Sequence, residues 1–187
     1  FENLSSYATD DIAASAAAVE YLVRMGHKNI GIIGGSASLQ RGQIGYRRLH
    51  GAINQLKKFN IPFDINKQYE PGRFSIASGY ESTLSLLKRN KKITALYCIS
   101  DIIAIGAMRA VKDLNMNVPD DISIIGYDGI EYTRYSVPRL ATIQQDTSGL
   151  ARKSVEDLLM RINYQNRTAN HEMIPFRVLT GESIKKK

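Results

Sequence analysis

Short apolar runs alternate with longer amphipathic stretches along almost the whole chain, and this alternation restricts the fold more than any other feature. Asp10 and Asp11 are N-cap candidates for a helix over roughly residues 11–25, which Gly26 stops as a C′ residue. A strand is expected at 29–34, with Gly34 and Gly35 as the turn. A helix at about 45–58 ends at residues 60–62, and Gln68 and Tyr69 mark a weak strand. A helix at about 75–89, a strand at 93–98, a helix at 101–114 and a strand at 122–126 follow. The loop 127–140 is polar with aromatics; a strand at 141–144 leads to a helix at about 147–163, and residues 174–179 form a last strand. Strands separated by helices imply an α/β fold, a parallel sheet with helices on both faces.

The strand at 122–126 carries the most specific chemistry. Asn117, Val118, Pro119 and Asp120 are turn residues; Pro119 fixes its own φ and biases Val118 away from helix. Ile122, Ile124 and Ile125 form a nearly continuous apolar run, the pattern of a strand covered on both faces. Gly126, Tyr127 and Asp128 then leave the strand at its carboxyl end. In open α/β sheets that is where ligands bind.

From Val118-Pro119-Asp120-Asp121-Ile122-Ser123-Ile124-Ile125-Gly126-Tyr127-Asp128 through Pro138-Arg139-Leu140-Ala141-Thr142-Ile143-Gln144-Gln145, the chain resembles the effector-binding domain of the lactose/galactose-repressor family. Three earlier blocks match in order: Leu22 to Ile30 with its Gly26-His27 pair, Arg48-Leu49-His50-Gly51, and Thr94 to Gly106 with Asp101, Ala104 and Gly106. The likeness runs from about Asp10 to Ser183. It implies a type I periplasmic-binding-protein-like fold, incomplete here. Family members carry a helix-turn-helix headpiece, a hinge, and two α/β subdomains joined by three crossing strands. This chain matches mainly the second: residues from about 8 to 144 correspond to the C-terminal subdomain, and about 146–179 to elements returning to the N-terminal one. Ala13 to Met25 is an Ala-rich helix, but Gly26 and His27 lead into a strand rather than a recognition helix, so no helix-turn-helix is expected here.

Composition sets limits. With 187 residues and 43% apolar content, one domain with a substantial core is the default. Lys and Arg number 25 against 18 Asp and Glu, a formal charge of +7; Lys185, Lys186 and Lys187 read as a solvated basic tail. The single cysteine, Cys98, excludes an intrachain disulfide and reads as a small buried hydrophobe, compatible with a reducing compartment. No apolar run approaches the ~18 residues of a membrane span. No secretory leader is visible, and a start at Phe1 without Met leads us to expect a fragment.

The candidate ligand residues each carry two readings. Asp128 is a loop carboxylate or an acceptor for hydroxyl and NH groups. Arg48 is an ion-pair partner or, from its match to the family's Arg-x-x-Gly helix, a bidentate anchor for a polar ligand; Arg47 takes that role if the register slips, and Arg41 is weaker. Phe74 is a hydrophobic staple or core residue, or a platform for the apolar face of a sugar, which is what the resemblance implies. Asp101 suits a helix N-cap, with ligand contact open to it and to Ser100. Ser100 stands where family members often carry Asn, which leaves the ligand's identity open. Gln145 ends a crossing strand within reach of the cleft. His27, His50 and His171 lack metal-ligand spacing; the resemblance gives His27 a structural role. Residues 31–35 lack a full nucleotide-loop pattern, and Ser36 and Ser38 lack a nucleophile motif.

The resemblance implies the effector region of a bacterial, cytoplasmic transcriptional regulator. A sugar or sugar phosphate closes two subdomains in one orientation and so alters operator binding by the headpiece. The alternatives are a secreted sugar-binding protein of a transporter and, third, an α/β enzyme; no paired nucleophile and base favours the latter. No cofactor or metal is expected. The resemblance also implies a homodimer. Ile102, Ile105 and Met108 or Arg109 form a stripe on the helix at 101–114, either core or subunit interface, with Tyr132 and Tyr135 near the same surface.

Overall fold

The computed structural model describes residues 3–35, 43–164 and 168–187. Its elements run β1 (Ser6–Thr9), α1 (Asp11–Arg24), β2 (Ile30–Ile33), α2 (Ile44–Lys58), α3 (Ile65–Gln68), β3 (Tyr69–Glu70), α4 (Ile76–Arg89), β4 (Ala95–Cys98) and α5 (Asp101–Asp113). Then come β5 (Ser123–Asp128), β6 (Ala141–Gln145), α6 (Thr147–Asn163), β7 (His171–Ile174) and β8 (Phe176–Leu179). One 3-10 turn, Glu131–Arg134, lies in the loop between β5 and β6. The chain divides into two compact units: Asp11–Gln144 with Val178–Lys187, and Phe1–Asp10 with Gln145–Arg177.

The larger unit is built on a sheet of order β3-β2-β4-β5-β6-β8. The paired registers are parallel: Ile30 faces Ala95, Tyr97 faces Ile125, and Asp128 faces Gln144. Consecutive strand residues point to opposite faces, and β4 shows what covers each. Leu96 fills the space beside Gly31 together with Leu86 of α4, while the Tyr97 hydroxyl donates to Ser15 Oγ of α1 at 2.7 Å. Helices therefore lie on both sides of β4, and its four residues are all buried. The helices pack closely in pairs. A Cβ on Gly51 of α2 would sit 2.4 Å from the Ile12 carbonyl of α1, and one on Gly106 of α5 would sit 2.1 Å from the Ile76 carbonyl of α4. Only glycine permits such approaches.

The final residues of the chain dock on the amino ends of the strands. Ser183 Oγ donates to Ile124 O at 2.6 Å and accepts from Ala141 N at 2.8 Å, while Ile124 N donates to Ser183 O at 2.9 Å. Lys185 N donates to Ser123 Oγ at 3.1 Å, and Lys187 N to Met25 O at 2.8 Å. His27 bridges its Nδ1 to Thr94 Oγ1 at 3.0 Å and its Nε2 to Lys185 O at 3.1 Å. Burial holds the His27 pKa below its usual value, so the ring stays neutral: Nε2 donates to the carbonyl and Nδ1 accepts from the hydroxyl.

In the smaller unit β1 and β7 pair in parallel from Ser6 against His171 to Thr9 against Ile174. Asp146 caps α6, accepting from Gly149 N at 2.8 Å, and Arg161 pairs with Asp157 at 3.1 Å.

Three expectations shift. The strand expected at 174–179 is two strands in two sheets, β7 and β8, with Pro175 between them. Proline lacks the N–H a continuous ladder needs. The strand expected at 122–126 continues to Asp128, so this carboxylate is the strand's last residue and not the first of the loop. β1 has no counterpart in the sequence pattern: four residues give too little alternation, and its partner is 165 positions away.

Candidate functional site

The carboxyl ends of β4, β5 and β6 bring several of the predicted residues together, and Arg48 is their centre. It projects from α2 and is 5% exposed. Nε donates to Asp11 Oδ1 at 3.0 Å; Nη1 donates to the Ile99 carbonyl at 2.7 Å and to Asp128 Oδ1 at 3.1 Å. The guanidinium lies over the Tyr127 ring, 3.6 Å from its centroid. The Tyr127 hydroxyl donates to Asp11 Oδ1 at 3.1 Å, and Arg47 pairs with the other Asp11 oxygen at 3.2 Å. Burial opposes the charge on Arg48, but Asp128 and its other partners hold its pKa above the ordinary value. Burial likewise raises Tyr127, which keeps its proton and its donor role.

Asp128 is the carboxylate of this cluster that reaches outward, at 28% side-chain exposure against 7% for Asp11, and its backbone φ is 121°. That conformation is uncommon for a residue with a Cβ and marks a site where surrounding contacts impose the backbone. A carboxylate fixed by a charged, stacked guanidinium is a rigid acceptor. It suits vicinal hydroxyls or NH groups, because its orientation is set before a ligand arrives.

Asp101 has a different task from the one expected. Ser100 occupies the cap position of α5 without a side-chain cap bond, and Asp101 is the first helical residue. Fully buried, its carboxylate accepts from Gly129 N at 2.7 Å, Ile130 N at 2.9 Å and Thr142 Oγ1 at 2.6 Å. A Cβ on Gly126 would lie 2.2 Å from Asp101 Oδ1, so the glycine makes room for it. Asp101 thus anchors the loop that follows Asp128 and presents no face to a ligand. Burial pushes its pKa up to about 6. Ser100 is also buried, and its hydroxyl has no hydrogen-bond partner among the described residues.

Phe74 is 48% exposed. A staple would require an apolar partner four residues into α4, but that position is Gly79, so the staple reading fails. Phe74 instead lines a cleft of about 790 Å³ with Gly35, Gly72, Arg73, Ser78 and Glu81. Arg48 and Asp128 do not line that cleft. Gln145 is the last residue of β6, one position past the residue paired with Asp128, and is half-buried. Ile102 and Ile105 are half-buried on α5 while Ala104 and Ala107 are fully buried; Tyr135 is 75% exposed. Arg41, Ser36 and Ser38 lie outside the described residues.

Sequence reasoning missed Asp11 as an ion-pair partner, Tyr127 as the platform for Arg48, and Thr142 as the partner of Asp101. Tyr127 adjoins Asp128 and was the easiest to find. Asp11 carries no local signal, because a carboxylate at a helix start reads first as a cap. Among the described residues no group of three or more His, Cys, Asp or Glu is arranged to hold a metal ion. No helix among them is long and apolar enough to cross a membrane.

The family described as periplasmic binding protein-like domain matches residues 19–184. The HTH-type transcriptional repressor PurR of Actinobacillus pleuropneumoniae serotype 3 (strain JL03) is 37% identical over 159 residues, 85% of this chain and 46% of that protein. The ribose operon repressor of Haemophilus influenzae (strain ATCC 51907 / DSM 11121 / KW20 / Rd) is 37% identical over 167 residues, 89% of this chain and 49% of that protein. The chain therefore spans about half the length of these curated relatives. A crystal structure of a LacI family transcriptional regulator from Enterococcus faecium with bound ribose superposes with a TM-score of 0.89 at 28% identity, covering 98% of this chain and 66% of that one.

Proposed function

The chain belongs to the periplasmic binding protein-like domain family, as an effector-binding region of the lactose/galactose-repressor type, and from that premise we propose that it senses a small molecule for a bacterial transcriptional regulator. The observation that carries this reading is the Arg48–Asp128 pair at the carboxyl ends of the strands, with Asp128 partly exposed. The larger unit serves as the C-terminal subdomain and the smaller one as part of the N-terminal subdomain. The effector is a sugar or sugar phosphate. Asp128 accepts from its hydroxyls, Gln145 contributes from β6, and Phe74 offers an aromatic face to a C–H surface. The unpartnered Ser100 hydroxyl gains its hydrogen bond directly or through water when the effector is bound. Arg48 acts mainly by holding Asp128, because Asp11, Ile99 and Asp128 already take its Nε and Nη1 hydrogens.

Binding is the whole chemistry of this reading; no bond is made or broken. Ligand affinity that differs between two arrangements of the parent protein shifts its operator affinity, and operator contact belongs to a headpiece outside this chain. Such a regulator works in the cytoplasm. It works as a homodimer through α5, whose half-buried Ile102, Ile105 and Met108 share a face, with the exposed Tyr135 added from the loop after β5. Titration calorimetry of the parent protein against ribose, cellobiose, glucose 6-phosphate and a purine base tests the reading. Saturable heat with a sugar or sugar phosphate supports it. Heat with the purine base alone overturns the sugar assignment. Turnover of any of them, or no response to the whole panel with Asp128 intact, counts against the sensing role itself.

A further inference from the structure

Five lysines that are scattered in sequence converge at the amino ends of the strands. Lys28 stands between His27, which donates to Lys185 O, and Asn29, whose carbonyl accepts from Thr94 N at 2.8 Å. Lys91 and Lys92 lie three and two positions before Thr94. Lys186 and Lys187 are brought to the same place by the docked final segment, with Lys187 N bonded to Met25 O and its carbonyl packed against Gly26. All five side chains are exposed, and none has an ion pair among the described residues, whereas neighbouring Lys185 is neutralised by Asp120 at 2.7 Å. The basic segment is therefore part of a fixed array and not the loose tail that its sequence suggests. The array sits at the opposite ends of the strands from Asp128.

We infer that this array is a sequence-independent contact for the phosphate backbone of duplex nucleic acid, separate from the effector site and from any headpiece. Compact ammonium groups suit phosphates as point charges, without the fork geometry that arginine brings to base edges. No Phe, Tyr or Trp lies within two positions of Lys28, Lys91, Lys92, Lys186 or Lys187 in the sequence, and single strands need stacking platforms. Lysine is depleted in protein interfaces, and exposed apolar anchors for a bilayer are absent from these positions. A duplex held here reads no sequence; it raises the local concentration of DNA around the regulator.

The test is fluorescence anisotropy of this chain with a labelled duplex of arbitrary sequence, across a salt series. Neutralising about three phosphates lowers affinity roughly 40-fold between about 50 and about 200 mM salt. Changing Lys28, Lys91, Lys92, Lys186 and Lys187 to Gln abolishes most of the binding and flattens that slope. A control variant with Lys57, Lys58, Lys67, Lys112 and Arg134 changed to Gln loses the same charge elsewhere and keeps most of it. Circular dichroism checks that both variants fold, and single Lys→Gln changes replace the combined variant if it does not. Equal losses in the two variants overturn the inference in favour of net charge alone. Binding of vesicles rich in phosphatidylserine without binding of the duplex overturns it in favour of a lipid surface.

Discussion

Arg48 Nη1 donates to Asp128 Oδ1 at 3.1 Å across 80 positions of sequence, while the same guanidinium lies flat on Tyr127. Asp128 has a backbone φ of 121°, and the guanidinium fixes the direction of its partly exposed carboxylate. The two residues are unequal: Asp128 faces outward and Arg48 is almost wholly inside.

That inequality separates two variants. In the parent regulator, Asp128→Ala weakens effector binding by about 1.5–3 kcal/mol, the range for losing a charged hydrogen-bond partner. Arg48→Ala has the same direction of effect on binding but also destabilises the fold by about 3–5 kcal/mol, because Asp11 is left buried with only part of its compensation. Calorimetry reads the first quantity and urea unfolding the second. An Arg48→Ala protein of unchanged stability contradicts the buried-pair account.

Asp101 gives stability a pH dependence of defined sign. Burial raises its folded-state pKa from 3.8 to about 6, so between those values the folded chain binds more protons than the unfolded one. Its contribution is therefore most favourable below the unfolded value and declines as pH rises through about 6, on the order of 1–3 kcal/mol in all. Asp101→Asn removes this slope. The variant is also less stable near neutrality, because the single oxygen of an amide cannot serve Gly129 N, Ile130 N and Thr142 Oγ1 as two carboxylate oxygens do. Urea midpoints for both proteins at intervals from about pH 4 to pH 7 compare the slopes.

Gly51→Ala transmits a packing fault to the site. The new Cβ would meet the Ile12 carbonyl at 2.4 Å, so α1 and α2 must separate. Overpacking of this kind costs about 1–3 kcal/mol. Because α2 carries Arg48, effector affinity should fall with stability. Lys57→Ala, on the exposed face of the same helix, is the control and leaves both unchanged.

Self-association is read on α5. The unmodified chain should sediment as a dimer at high micromolar concentration, and Ile105→Asp should yield a folded monomer, since a charge buried without a partner is costly. Ile105 is half-buried in the single chain, so the substitution need not disrupt the core. A monomeric unmodified chain refutes the interface, and outright unfolding of the variant returns Ile105 to the core.

The sequence made legible whatever depends on near neighbours. The run from Ile76 to Arg89, the apolar β4 and the helix at 147–163 follow from local periodicity and capping, and they stand close to where the pattern puts them. Arg48 and Asp128 are each identifiable locally, but their partnership is not, because it depends on how α2 packs against α1 and the sheet. Asp101 shows the sharper failure. Ser100 followed by Asp101 at a helix start is cap chemistry to a local reading, and what makes Asp101 a buried anchor lies at Gly126, Gly129 and Thr142 on other segments.

Ser183 has a consequence for the order of assembly. It satisfies Ile124 N, Ile124 O and, through its hydroxyl, Ala141 N, although 59 and 42 positions separate it from those residues. The smaller unit's residues Gln145–Arg177 are threaded between them. During synthesis on the ribosome, the backbone groups of Ile124 and Ala141 therefore wait for residue 183 to emerge, and the larger unit closes only after that whole insert has been made. The two units cannot mature one after the other like beads; each is completed only by chain made after the other has begun.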